Sequence, residues 1–417
     1  MPRRRLKPEG ERSLTMKKSR LALLALAFCL SACTPAESAT PESETNPATA
    51  EAAMTEEPAE TAAFPVGSLV GCGDNTQTPG KMYHFYQESE DSPQSIIELD
   101  CDTGQESCLY TFTSEKMPDG PLLIQPGVIR RPVGKTLYTI PLDGGEVQTM
   151  PLEGRFEPVA CDAYGAYEFW GCDWDVQRTF RRLDFATGQI TELKTPPQVQ
   201  WYWAVGQERI ILWRLVTDAP LPDVHTQNEQ YYAAIQSATT EYYWYDPATG
   251  ELEKIYAEPY YGVEQADGSQ NQRYFLGVSG DRLYFQNTHL LRGNPGVEVL
   301  DMQVESCAVD GTDWQTECTL PTGNAGTFTL WEGPTLRWLM DGTTSPMKIY
   351  DLTDRAWHTI GLRGVPESLT GDGKVYLMQE QWGSDGSYKM VYGLADMDDY
   401  LAGSTDWTPV TLYTETS

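Results

Sequence analysis

The chain has 417 residues, with 60 acidic against 30 basic side chains and a formal net charge of −30. So acidic a chain does not neutralise phosphates, which argues against a nucleic-acid partner. With 40% hydrophobic residues, 23 Tyr and 12 Trp, it is also too apolar to remain disordered throughout.

The first 33 residues reverse the overall sign. They hold eight basic residues (Arg3, Arg4, Arg5, Lys7, Arg12, Lys17, Lys18, Arg20) against Glu9 and Glu11. From Met16 the order is basic residues, the apolar run Leu21 to Leu30, then Ser31, Ala32 and Cys33, the layout of a secretory signal. The apolar run is about half of the ~20 residues that a membrane-crossing helix needs. The signal is complete from Met16, which is a candidate for the true start. The ending L-S-A-C resembles the lipobox of bacterial lipoproteins. That resemblance implies that Cys33 carries the lipid, becomes the first residue of the mature chain, and holds the protein extracytoplasmically on a bacterial membrane. The membrane in question is the outer face of the cell membrane, or the outer membrane of a two-membrane envelope. Without residues 1–33, 58 acids face 22 bases, a net charge of −36. Anionic headgroups repel such a surface, so the lipid alone must retain the protein at the membrane.

Residues 34–63 contain seven Glu and four Pro, with no Lys, Arg or aromatic residue. Such a segment cannot bury enough apolar surface to offset its ordering entropy, and it is expected to be a disordered tether. From Phe64 onward, 354 residues carry 45 of the 46 aromatics. Short alternating runs such as KMYHFYQE, KTLYTIPL, ERIILWRL and KVYLMQEQ read as β-strands bounded by Gly, Asp and Pro.

One pattern recurs along these 354 residues: an apolar residue, an Asp, a turn of Gly, Thr or Asp, then an alternating strand. The Asp residues are Asp100, Asp143, Asp184, Asp246, Asp310, Asp351 and Asp396. An Asp caps its own turn through its side chain, and Gly accepts the positive φ of a tight turn. Seven units of about 50 residues each suit one four-stranded sheet apiece, and sheets arranged radially leave few exposed edges. The expected fold is all-β, a propeller of seven four-stranded blades over residues 64–417, with the Phe64 to Cys72 stretch completing the last blade beside VTLYTET. The D-x-x-T-G turns at Asp100, Asp184 and Asp246 resemble the repeats of bacterial quinoprotein-type propellers and of the lipoprotein propellers of outer-membrane assembly. The Ala before the Asp and the Trp after the turn are mostly missing here, so neither quinone binding nor an assembly role is implied.

Nine Cys remain to be placed. Cys29 leaves with the signal and Cys33 is lipidated. Three close pairs, Cys101 with Cys108, Cys161 with Cys172 and Cys307 with Cys318, fall across expected hairpins and are disulfide candidates in an oxidising compartment. Cys72 is left over as a buried thiol. No spacing matches a metal site and no cofactor motif occurs.

Catalytic signatures are missing as well: no H-E-x-x-H, no G-x-S-x-G, no phosphate loop. Aromatic residues concentrate in the fourth unit, at Trp201, Trp203, Trp213 and Trp244, around an insertion from Thr217 to Thr240 that holds Tyr231 and Tyr232. The insertion should join the second and third strands and lie on the same face as the connections between blades. Tyr231, Tyr232, Trp244, Trp201 and Trp203 are the ligand-site candidates, with Tyr231 and Tyr232 expected to be exposed. Aromatic planes beside carboxylates suit a glycan, a peptide or an envelope protein as partner. The competing reading is an exported carbohydrate-active enzyme using paired carboxylates.

Overall fold

The computed structural model describes residues 64–414, apart from 90–91, 113–120, 170–178, 220, 223–225, 261–266, 294–295, 321–327, 333–334, 342–347, 361–364, 383–386 and 405. The signal, the lipidation site Cys33, the tether and Cys172 lie outside the described residues.

Seven antiparallel sheets form a ring, the arrangement of a seven-bladed β-propeller. The seams between blades are where the apolar alternation is used. Tyr83, Ile96 and Ile129 fill the seam of blades 1 and 2, and Leu123, Leu137 and Leu183 that of blades 2 and 3. Tyr167, Phe180 and Leu212 pack between blades 3 and 4, and Tyr242, Phe275 and Phe285 between blades 4 and 5. Val304, Leu339 and Tyr350 follow between blades 5 and 6, then Ile349, Val375 and Leu377 between blades 6 and 7. Met82, Leu99 and Leu394 close the circle between blades 7 and 1.

Within a blade, the turns joining strands one to two and three to four lie on one face of the ring, called here the turn face. The other connections lie on the crossover face. Blade 4 shows the regular order, with strands Val199–Ala204, Ile210–Val216, Thr239–Tyr245 and Leu252–Pro259. Its insertion, carrying the helix Asn228–Ile235, joins the second and third strands on the crossover face. Blade 5 reaches its length differently, through strands Ser269–Ser279, Arg282–Gly293 and Gly296–Ala308 that run past the ring on the same face.

The recurring Asp residues cap their turns as the sequence implies. Asp100 Oδ1 accepts from the Asp102 and Thr103 amides and the Thr103 hydroxyl, and Asp184 Oδ1 does the same with Ala186 and Thr187. Asp246, Asp310, Asp351 and Asp143 hold shorter versions. Only Asp396 departs, because the helix Met397–Leu401 replaces its turn.

The glycine of D-x-x-T-G has a second reason to be there. Gly104, Gly188 and Gly250 have φ of 70°, 73° and 73°, and each presses on the outer strand of the preceding blade. A Cβ on them would collide with Pro409, Met150 and Lys194 respectively. In blade 5 the turn is rearranged and Gly311 (φ 81°) takes that role against the Ile255 carbonyl. In blade 6 the left-handed position is Arg355, which reaches Glu317 on the outer strand of blade 5 at 3.4 Å.

Three expectations are corrected. The first concerns the Phe64 to Cys72 stretch, which does not complete the last blade. Strand Val70–Gly71 pairs with Ala160–Cys161, the inner strand of blade 3, on the axis side. The chain thus enters on the turn face and runs along the axis, held by Asp162. That buried carboxylate accepts from the amides of Gly67, Tyr164 and Gly165 and from the Tyr167 hydroxyl. Among the described residues blade 1 has three strands, and the Asn75 side chain pairs with the Tyr83 backbone where an inner strand would run. The second correction concerns the disulfides. Cys108 faces Ile97 rather than Cys101, and Cys318 faces Val304 while Cys307 faces Leu283. Cys307 and Cys318 belong to seams on opposite faces of blade 5. Cys101, Cys307 and Cys318 are buried thiols that burial pushes up to about 12, so they stay protonated. The expected pairing of Cys161 with Cys172 falls outside the described residues. The third correction is Tyr231, which is 7% exposed and packs on Leu215, Ile235 and Ala238.

Candidate functional site

The aromatic candidates of blade 4 do not converge. Trp201, 39% exposed, stands near the crossover end of the inner strand, opposite Trp213. Trp203 is half-buried in the seam with blade 5, its ring 5.0 Å from that of Phe275. Tyr231 is core of the insertion, and the Tyr232 side chain lies outside the described residues. Trp244, near the turn end of the third strand, is the candidate that borders a cavity.

That cavity is a cleft of about 830 Å³ on the turn face, where blades 4 and 5 meet the entering chain. Three groups of residues build it. Phe64, Val66 and Ser68 come from the entering segment, fixed there because Leu69 exchanges backbone hydrogen bonds with Gly206 and Gln207. Glu208 and Arg209, from the first turn of blade 4, stand beside Trp244 and Asp246. Val278, Asp281 and Val309, from the turns of blade 5, form the far wall. The Trp244 indole donates to the Val309 carbonyl at 3.1 Å and so pins the two blades together. The volume falls within the range of small-ligand pockets.

The cleft combines apolar walls with an acidic rim. Phe64, Val66, Val278 and Val309 supply the former, and Glu208, Asp246 and Asp281 the latter. Its cation, Arg209, lies over the Trp244 ring at 5.1 Å and is paired with Glu253. Asp246 spends Oδ1 on the Ala248 and Thr249 amides. Asp281 and Glu208 are exposed to solvent.

No protein-family model matches the chain. No curated protein matches it either. Among solved structures it is similar to an oligogalacturonate lyase in complex with manganese, at 14% identity over 81% of this chain and 100% of that one, with a TM-score of 0.32. It is also similar to oligopeptidase B from Leishmania major, at 10% identity over 81% of this chain and 54% of that one, with a TM-score of 0.33. A third likeness, at 13% identity over 81% of this chain and 96% of that one, is to a chain in a Saccharomyces cerevisiae structure of Dbp5 bound to Nup159 and Gle1, with a TM-score of 0.36. Likeness at this level says nothing about activity.

Elsewhere, several buried carboxylates serve the framework. Besides Asp162, Glu168 pairs with Arg181, and Glu241 with Lys254 and Tyr243. Asp351, Asp354 and His358 place one ligand atom each within 4.8 Å of one another. Asp351 is already engaged by Arg337 and by the Trp338 indole, and Asp354 by His358, so the group locks the blade 6 hairpin.

Glu208, Arg209, Asp281 and Phe64 were missed as site residues by reasoning from sequence. Their only sequence mark is that they flank strands. That four turns and an entering chain share one cleft follows from blade order.

Proposed function

We propose that the protein is an extracytoplasmic lipoprotein, anchored through Cys33, whose propeller binds a glycan, peptide or protein partner without chemical turnover. The observation that carries the binding reading is the cleft at Trp244, about 830 Å³, with apolar walls beside the solvent-exposed Glu208 and Asp281 carboxylates. Binding residues carried on turns and held by a scaffold of paired strands are a common arrangement. Four of the buried carboxylates, Asp162, Glu168, Glu241 and Asp351, are each committed to holding strands or turns, which supports this reading.

Two measurements test it. Expressed in a bacterium, the full chain should fractionate with membranes and C33A with the soluble extracytoplasmic fraction; membrane retention of C33A would refute the anchor. Glycan arrays and pull-downs with the mature chain should detect a ligand whose capture falls in V309N, which interrupts the exposed apolar wall. Hydrolysis or elimination of any captured saccharide would refute the non-catalytic reading.

A further inference from the structure

We infer that the blade 4–5 cleft receives a basic amphipathic peptide segment, an apolar side chain flanked by lysine or arginine, rather than a neutral glycan. The inference rests on the binding reading above and narrows it to one site and one chemistry. The cleft has two kinds of surface, and both must be satisfied by one ligand. Phe64, Val66, Val278 and Val309 offer apolar wall. An apolar side chain of the ligand gains by leaving water there. A sugar ring needs an open aromatic platform, and neither ring of the cleft provides one: Trp244 is 5% exposed and covered by the Arg209 guanidinium, and Phe64 packs on the blade 3–4 core with the Arg182 guanidinium over it at 4.3 Å.

Charge then selects among apolar ligands. Glu208, Asp246 and Asp281 stand around the opening, and the one cation there among the described residues, Arg209, is paired with Glu253. Neither the Asp281 nor the Glu208 carboxylate has a basic partner among the described residues. An anionic or phosphate-bearing ligand is repelled, while an ammonium or guanidinium beside the apolar group finds acceptors. The chain as a whole carries −30, so its field also favours a cation during approach.

The test uses the mature chain and two acetylated, amidated peptides, Phe-Lys-Leu-Lys and Phe-Gln-Leu-Gln, in titration calorimetry. The Lys peptide should bind about tenfold tighter than the Gln peptide, and its binding should weaken as salt screens the rim. Glu208→Gln with Asp281→Asn should remove that advantage. Glu229→Gln with Glu298→Gln, the same charge change on the crossover face, should leave it intact. Equal binding of the two peptides, no binding of either, or an equal effect of the crossover-face pair would each overturn the inference. Should glycan arrays or pull-downs then still detect a ligand insensitive to the Glu208 and Asp281 changes, the binding function stands and only this site falls. Should they detect none, the binding function falls with it.

Discussion

The seam between blades 4 and 5 and the seam between blades 7 and 1 solve the same packing problem with different means. The first joins sequence neighbours and is apolar, with ten buried residues including Tyr242, Trp244, Phe275 and Phe285, and further rings from Trp203, Tyr256 and Trp314. The second joins the two ends of the ring and, among the described residues, buries Met82, Leu99, Cys101 and Leu394, with Tyr376 and Val410 packed against them. It is fastened instead by polar contacts. Lys374 reaches the Cys101 carbonyl at 3.0 Å and Asp102 at 2.6 Å. Thr411 exchanges backbone hydrogen bonds with Gly104 and Glu106, and the Tyr413 amide donates to the buried Glu106 carboxylate at 2.6 Å. Burial is worth about 25 cal/mol per Å² and is not undone by salt, whereas exposed ion pairs contribute about 1 kcal/mol at most. The closing seam should therefore be where the ring opens first.

The strongest way to break this comparison is at the two pressing glycines. Gly311→Ala forces a Cβ into the Ile255 carbonyl at a φ of 81° and should cost more than about 3 kcal/mol in chemical denaturation. Gly104→Ala meets the Pro409 carbonyl, but on a tail that can shift, and should cost less; equal losses would contradict the contrast. Phe285→Ala, in the apolar seam, should destabilise by about 3–5 kcal/mol, against about 2–4 for Leu394→Ala in the closing seam. Ending the chain at residue 410 removes the Thr411 and Tyr413 contacts and should cost about 1–2 kcal/mol. Hydrogen exchange should then accelerate first in Gln105–Thr111, the strand they cover; uniform acceleration would mean the ring has no weak seam. Lys374→Ala should cost no more than about 1 kcal/mol, because its partner Asp102 is exposed.

Acid should act on both seams alike. The Asp100 carboxyl lies below the ordinary carboxylate range, first because of the Lys81 hydrogen bond and then because of Thr103. Asp310 is lowered chiefly by the Thr312 hydroxyl. A depressed folded pKa contributes stability that is present above the unfolded value, about 4, and is lost as pH falls through the folded one. The melting temperature should hold between about pH 5 and 7 and decline below about pH 4, less steeply in a Thr103→Val, Thr312→Val double variant. A decline of unchanged slope in that variant would mean the turns are not the acid-sensitive elements.

Much of the fold was legible because its devices are local. An Asp bonding amides two and three residues on needs no distant partner, so Asp100, Asp184 and Asp246 announced their hairpins, and the pitch between them counted the blades. The Thr217 to Thr240 insertion was legible for the same reason, lying within one blade. The pairs Cys101 with Cys108 and Cys307 with Cys318 looked equally local and were misread. A spacing of seven or eleven residues across a hairpin does not say which residue faces which, and bulges between Ile96 and Ile97 and between Val304 and Glu305 shift the register. Tyr231 was misread because an eight-residue helix in an insertion still needs a small core of its own.

By itself, then, the sequence determined the turns, the strands, the number of blades and the side on which blade 4 is enlarged, since each follows from interactions among residues close along the chain. Tertiary structure decided the rest. It set the passage of Val70 and Gly71 along the axis beside blade 3, the second reason for Gly104 and Gly311, the fastening of the last strand to the first blade, and the cleft shared by Phe64, Trp244 and Asp281. These join residues tens to hundreds of positions apart. Each such contact depends on how seven seams of nearly interchangeable apolar residues settle into one ring, which no single stretch of the chain encodes.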